Sequence, residues 1–154
     1  MPTYSLINNG DSGLVARTNI NAIITDINNN TIGANPAGSF GITIDGGSSA
    51  ITTGVKGYIY IPYSGTITSW ILTADQNGSI VIDVWKDTFA NFPPTVADTI
   101  AGSDKPTLSS AQKSLDTSLS TWTTSVSAGD IIAFNVDSAS TLTRVNLSIN
   151  ITKS

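Results

Sequence analysis

The sequence contains no histidine, no cysteine and no glutamate, and all 11 of its acidic residues are aspartate. Each absence removes chemistry. Without histidine there is no imidazole general base and no Ser-His-Asp triad. Without cysteine or histidine the usual zinc sites cannot be assembled, and no disulfide can brace the fold, which must stand on packing. Charged residues make up only 12 % of the 154 residues, about half the usual share. The net charge is −4, whereas a nucleic-acid binder needs a basic stripe to meet phosphates. Long apolar runs are missing too. The longest are 80–82 and 131–134, far short of the roughly 20 residues that span a bilayer. The first ten residues are polar, with no basic start and no apolar run of signal-peptide length. The expectation is a protein made in the cytoplasm that reaches the outside only as part of something else, with no membrane insertion and no nucleic-acid partner.

What is present is 20 Ser, 21 Thr, 13 Asn and 20 Ile, a polar surface made of uncharged groups around an aliphatic core. Three zones follow by composition. Residues 1–30 are Asn-rich, 31–41 form a Gly/Pro/Ala connector, and 42–154 are rich in the Thr, Ile and Val of β-structure. In the first zone Ala16, Ile20, Ile23 and Ile27 recur at spacings of 4, 3 and 4, with Ile24 widening the stripe. Asp11 or Ser12 can cap such a helix, and the run Asn28-Asn29-Asn30 can end it. The stripe is open to three readings. It is an amphipathic helix lying on its own domain or a partner, or a trimeric stalk, since Ile at both core positions favours three strands, or, against the helical spacing, a strand.

The third zone alternates with period two. Residues 56–62 put Ile59 and Ile61 on one face and Tyr58 and Tyr60 on the other, before a turn at Pro62-Tyr63-Ser64-Gly65. A strand over 66–74 leads to Asp75-Gln76-Asn77-Gly78, whose Asn-Gly pair predicts a hairpin. Ile80, Ile82 and Val84 then face inward, with Val81, Asp83 and Trp85 opposite. Residues 130–137 form another strand, and Val145, Leu147, Ile149 and Ile151 alternate without a break against polar partners. Leu108, Ala111, Leu115, Leu119, Trp122 and Val126 fit helical spacing, yet the Ser and Thr between them are weak helix formers; strands are expected there. The irregular stretch 87–106, with Phe89, Phe92 and Pro93-Pro94, has the length of a functional or partner-binding loop. The fold class is therefore mainly β: an antiparallel β-sandwich, jelly-roll-like, with a short N-terminal helix.

Three chemistries remain open. Paired carboxylates among Asp83, Asp87, Asp98, Asp104 and Asp116 are the residue types of a glycosidase, but scattered turn aspartates account for them equally. Asp75-Gln76-Asn77-Gly78 has oxygen ligands suited to Ca²⁺, though a hairpin turn explains it. Tyr58, Tyr60, Tyr63 and Trp85, with Trp70 and Trp122, could stack on sugar rings, or else the Trp residues fill the core and the Tyr row meets a neighbouring subunit. No catalytic residue, cofactor or metal site is expected.

The stretch Asn8-Asn9-Gly10-Asp11-Ser12-Gly13-Leu14-Val15-Ala16-Arg17-Thr18-Asn19-Ile20-Asn21 resembles an N-terminal or linker segment of tailed-bacteriophage fibre and virion-surface proteins, where N-G-D-x-G-L-x-x-R-x-x-I-N precedes a helix. The body, through 74–87, 92–98 and 128–138, is similar to a small β-sandwich module of phage structural proteins. The resemblance implies a non-enzymatic, trimeric virion protein, anchored by its N-terminal segment to phage capsid or tail proteins and displaying a knob. Arg17, Ile20, Ile23, Ile24 and Ile27 would then serve trimerisation and docking. Long fibres carry a shaft between anchor and knob. Only the connector 31–41 stands there in this chain, which favours a capsid decoration or head-fibre protein over a far-reaching probe. The alternative is a tail-fibre or tail-tip knob that binds a host-surface glycan, with Tyr58, Tyr60, Tyr63 and Trp85 facing the ligand.

Overall fold

The computed structural model describes residue 10 and residues 12–28 and 36–154. The chain divides into two units, 1–35 and 36–154.

In the first unit the Ile spacing forms one helix, α1 (Gly13–Asn28). Ser12 starts it: its carbonyl accepts the Ala16 amide at 3.1 Å and its hydroxyl accepts the Val15 amide at 3.3 Å, so it acts as the N-cap. Thr18 and Thr25, poor helix formers, turn their hydroxyls onto the carbonyls of Leu14 and Asn21, the local bond that lets such residues stay helical.

The second unit is a single antiparallel sheet of seven strands curled over itself, a β-sandwich-like fold. Its strands are β1 (Ala37–Asp45), β2 (Gly54–Tyr60), β3 (Gly65–Thr88), β4 (Thr107–Asp116), β5 (Ser125–Val126), β6 (Asp130–Ser140) and β7 (Arg144–Lys153). The spine is β3, 24 residues long. Its first part, 65–74, pairs with β7, which pairs with β1; its second part, 79–88, pairs with β6, which pairs with β2. On its other edge β3 carries β5 and β4. The two halves of the sandwich are thus joined through one bent strand in a single hydrogen-bonded path. The alternation read in the sequence sets the packing. Val145, Leu147, Ile149 and Ile151 are buried against Ile67, Trp70 and Leu72 on one half and Ile80, Ile82, Val84, Phe134 and Val136 on the other, in one continuous core.

The bend in β3 corrects the expected hairpin. Asn77-Gly78 lies within β3 and does not turn the chain back. Gly78 is there for space: a Cβ on it would stand 2.5 Å from Leu142 Cδ2 and 2.6 Å from Thr141 Oγ1. The neighbouring polar residues hold the β6–β7 connection. Gln76 donates to the Thr141 carbonyl, and Asp75 accepts from the Thr143 hydroxyl and the Arg144 amide. The Asp75 carboxyl is held below its ordinary value first by that Thr143 hydroxyl.

Two further boundaries differ from the sequence reading. Residues 37–41, expected as connector, begin β1, because β7 offers them a ladder from Ala37↔Thr152 onward; Gly41 suits the close approach, since a Cβ there would meet the Leu147 carbonyl at 2.0 Å. Of the ambiguous 108–126 stretch, β4 and the short β5 are strands, and a loop between them buries Leu119 and Trp122, leaving Leu115 exposed.

Candidate functional site

Across β2, β6 and β3 the outward positions form cross-strand rows. Tyr58, Ala133 and Trp85 make one row, and Tyr60, Ile131 and Asp87 the next. Side chains directly opposite on neighbouring strands share a face, so this outer face is aromatic and apolar. The segment 89–106 closes over part of it. Its first turn, Phe89–Asn91, is pinned by Asp87, whose Oδ1 accepts from the Asn91 side chain at 3.0 Å and the Thr88 amide at 2.7 Å; the Asn91 bond leads in holding the Asp87 carboxyl below its ordinary value. Phe92 then meets Tyr58 edge-to-face, with ring centres 4.9 Å apart at 65°, an arrangement aromatic pairs favour. A second turn, Val96–Asp98, is closed by a reciprocal Thr95–Asp98 capping box. Thr99 bridges to Trp85.

This leaves Tyr58 and Tyr60 exposed, 46 % and 57 %, with Phe92 against Tyr58, and Phe89 and Val96 of the same segment exposed as well. The structure thereby gathers two of the four sequence-nominated aromatics with a pair of phenylalanines from the long irregular segment. It separates the other two. Trp85, open in the sequence to a ligand-facing or a buried reading, is only 9 % exposed, in the sheet row that the 89–106 segment covers. Tyr63 lies elsewhere, partly buried against the core, its hydroxyl 3.4 Å from the Ser39 carbonyl and its ring 5.8 Å from Lys153 Nζ.

Beneath the segment lies a polar cluster that sequence reasoning missed. Asp83 has no solvent-exposed side-chain surface, and Lys105 Nζ stands 2.9 Å from its Oδ2 and 2.7 Å from Asp137 Oδ2. The Thr99 hydroxyl donates to Asp83 Oδ1 at 2.6 Å. Burial alone would push the Asp83 carboxyl up, but the Thr99 hydroxyl and the Lys105 ammonium outweigh it and hold it below its ordinary value. Lys105 is raised in turn, chiefly by Asp137 and then by Asp83. The available signal was Asp83 itself: an aspartate in the run Ile80 to Trp85, with apolar neighbours on both faces, requires a buried partner.

Other aspartates hold nearby backbone in place. Asp116 accepts from Ser118 and Leu119, and Asp104 from the Ser120 amide. A groove of about 370 Å³ opens beside Thr43, Thr73, Asp75, Arg144 and Asn146. Arg144 is engaged there with Asp45 at 2.7 Å. Among the described residues no group of three or more acidic side chains is placed to hold a metal ion.

In the other unit, Arg17 is exposed, Ile20 and Ile24 are each 47 % exposed, and Ile23 is half-buried. Exposed Leu14 and Val15 lie on the same helix. The side chain of Ile27 falls outside the described residues, as do Asp11, Asn29 and Asn30.

No protein-family model matches the chain, and no curated protein does. Among solved structures, a chain in the structure of the Gx strain of infectious bursal disease virus aligns at 15 % identity and a TM-score of 0.24, over 75 % of this chain and 34 % of that one. The chain therefore spans about a third of that neighbour's length, and so low a superposition carries no functional weight.

Proposed function

We propose that this chain is a non-enzymatic structural protein of a tailed-phage particle, a trimeric capsid decoration or head-fibre protein whose N-terminal segment docks and whose β-body is displayed at the virion surface. The observation that carries the reading is the exposure of Ile20 and Ile24 on a capped helix. The buried core of the β-body is drawn from residues 44 to 151. Apolar helix positions that complete no core of their own are the kind of surface that an oligomer or a docking partner buries. Ile at successive core spacings favours a threefold bundle, and the 8–21 stretch resembles phage virion segments.

Light scattering on the intact protein and on residues 36–154 tests it. The expected result is a trimer that becomes a folded monomer on truncation. Particles lacking the protein should lose resistance to heat or osmotic shock while still adsorbing to cells. Monomers in both samples, together with particles of unchanged stability, would sink the reading.

A second role is favoured by the exposed Tyr58, Tyr60, Phe89 and Phe92: host attachment, with this face on a surface glycan. Blank glycan binding and normal adsorption of a Tyr60→Ala, Phe92→Ala phage remove it.

A further inference from the structure

The Asp83 carboxyl treats its two oxygens differently. Oδ1 is held by two donors, the Val84 amide at 2.9 Å and the Thr99 hydroxyl at 2.6 Å. Oδ2 is buried without an aligned hydrogen-bond donor, although Lys105 Nζ is only 2.9 Å away. The aligned bond of that amine goes to Asp137 Oδ2, at 2.7 Å. One carboxylate thus holds the amine while it rests against the carboxyl of another, off the hydrogen-bond line. The indole N–H of Trp85, next along but one, is also buried without an aligned partner.

We propose that Lys105 and Asp83 close an intramolecular isopeptide bond, Nζ to Cγ, with loss of one water and with Asp137 as proton carrier. The proposal is independent of the virion reading. The ammonium of Lys105 first passes a proton through Asp137 to Asp83 Oδ2, leaving a neutral amine, a carboxylic acid and an Asp137 carboxylate. The amine lone pair attacks Cγ, the C–N bond forms, and Oδ1 takes up the negative charge between the Val84 N–H and the Thr99 O–H. Nζ gives its surplus proton to Asp137, which hands it to the Oδ2 hydroxyl. Water leaves as the C=O bond re-forms, and Asp137 is again a carboxylate. Ammonium plus carboxylate become amide plus water, with no oxidant or co-reactant.

The surroundings oppose the first proton transfer, since Asp83 is held below and Lys105 above its ordinary value, and they suit the attack and collapse that follow. Two donors stand at the oxygen where charge develops, at distances typical of an oxyanion site. Lys105 Nζ already stands 2.9 Å from Oδ2 of the carboxyl it would attack, which removes most of the entropic cost of bringing the two groups together. The product also replaces an ion pair at a buried site, where charge is costly, by a neutral amide. The raised pKa of the ammonium sets the pace: only the small neutral fraction attacks, so closure follows folding rather than accompanying it. Once formed, the bond ties β3 to the residue just ahead of β4 and fastens the 89–106 segment over the outer face.

Intact-mass spectrometry on the full chain, fresh and after prolonged incubation at neutral pH, reads the outcome. The wild type is expected to fall short by the mass of one water, and a digest is expected to yield one branched peptide joining Asp83 to Lys105. Lys105→Arg keeps a cation on the segment but supplies no amine nucleophile and should stay at full mass, its folding checked by circular dichroism. Asp137→Asn should slow closure by about a hundredfold or more, the usual contribution of a positioned proton carrier. Wild-type protein that stays at full mass after incubation overturns the proposal, as does a deficit that persists in Lys105→Arg. Closure at an unchanged rate in Asp137→Asn overturns the role given to that carboxylate.

Discussion

A double-mutant cycle between Gly78 and Leu142 tests how the bend of β3 is built. A methyl on Gly78 would meet Leu142 Cδ2 at 2.5 Å and Cγ at 2.7 Å, and Leu142 is completely buried. Overpacking a filled site costs about 1–3 kcal/mol, while replacing glycine in a strand returns about 0.5–1 kcal/mol of backbone entropy. Gly78→Ala should therefore lower stability by about 1–2 kcal/mol. Leu142→Ala removes a buried leucine and should cost about 3 kcal/mol, within the range of about 2–5 for such truncations. The two changes are not independent, because Leu142→Ala deletes two of the three atoms nearest the new methyl, Leu142 Cδ2 and Cγ, and leaves only the Thr141 hydroxyl at 2.6 Å. The double variant should recover most of the Gly78→Ala loss, a favourable coupling of about 1 kcal/mol. Urea denaturation of the four proteins, with matched slopes, reads this directly. Additivity within about 0.5 kcal/mol, the behaviour of independent sites, would refute the account of Gly78 as a space-making residue. A hairpin glycine facing solvent would give that additivity.

Three other outcomes are expected. Tyr60→Ser and Phe89→Ser, at exposed positions, should change stability by no more than about 0.5 kcal/mol, whereas Trp85→Ala should cost about 3–5 kcal/mol; equal losses at all three would contradict the placement of the covering segment. The Asp45 and Asp75 carboxyls should titrate below 3.8 by carbon-detected NMR, Asp45 because of the Gly47 amide and Arg144, Asp75 because of Thr143. Since both folded values are depressed, their stabilisation is present above the unfolded value and fades as pH falls through the folded one; a value at or above 3.8 for Asp75 contradicts its hold on the β6–β7 connection. Ser12→Ala should lose about 1 kcal/mol of helix stability, seen as faster amide exchange over 13–16, and unchanged exchange would remove Ser12 as the cap.

The strand faces were legible wherever burial on one side imposed strict alternation. Val145, Leu147, Ile149 and Ile151 point inward as their spacing requires, and Tyr58 and Tyr60 point away from Ile59 and Ile61. What sequence missed was decided by partners distant along the chain. Asn77-Gly78 has strong local turn chemistry, yet its backbone stays in the strand because Thr141 and Leu142 need the space above it. The start of β1 inside the Gly/Pro/Ala connector depends on a ladder with β7, which no local pattern in 31–41 reveals. Within the candidate site, Tyr58 and Tyr60 were visible as an outward row. The Asp83–Lys105–Asp137 cluster was not, and neither was which of its two readings Trp85 would take, because both depend on a segment without periodicity folding back on the sheet. Both kinds of miss are tertiary contacts overriding local propensity.

The ladder between β1 and β7 also gives the β-body a direction of mechanical strength. Ala37 lies opposite Thr152, and the Lys153 amide reaches the Pro36 carbonyl at 2.6 Å, so the two strands leave the sheet at the same end. Tension between Pro36 and Ser154 would peel this edge one hydrogen-bonded pair at a time, each pair failing alone. Tension from Pro36 along the strand axis, opposed by the rest of the sheet, would load all nine register pairs together. A body tethered through Pro36 would therefore resist drag on its far side much better than it resists a tug on its own last residue.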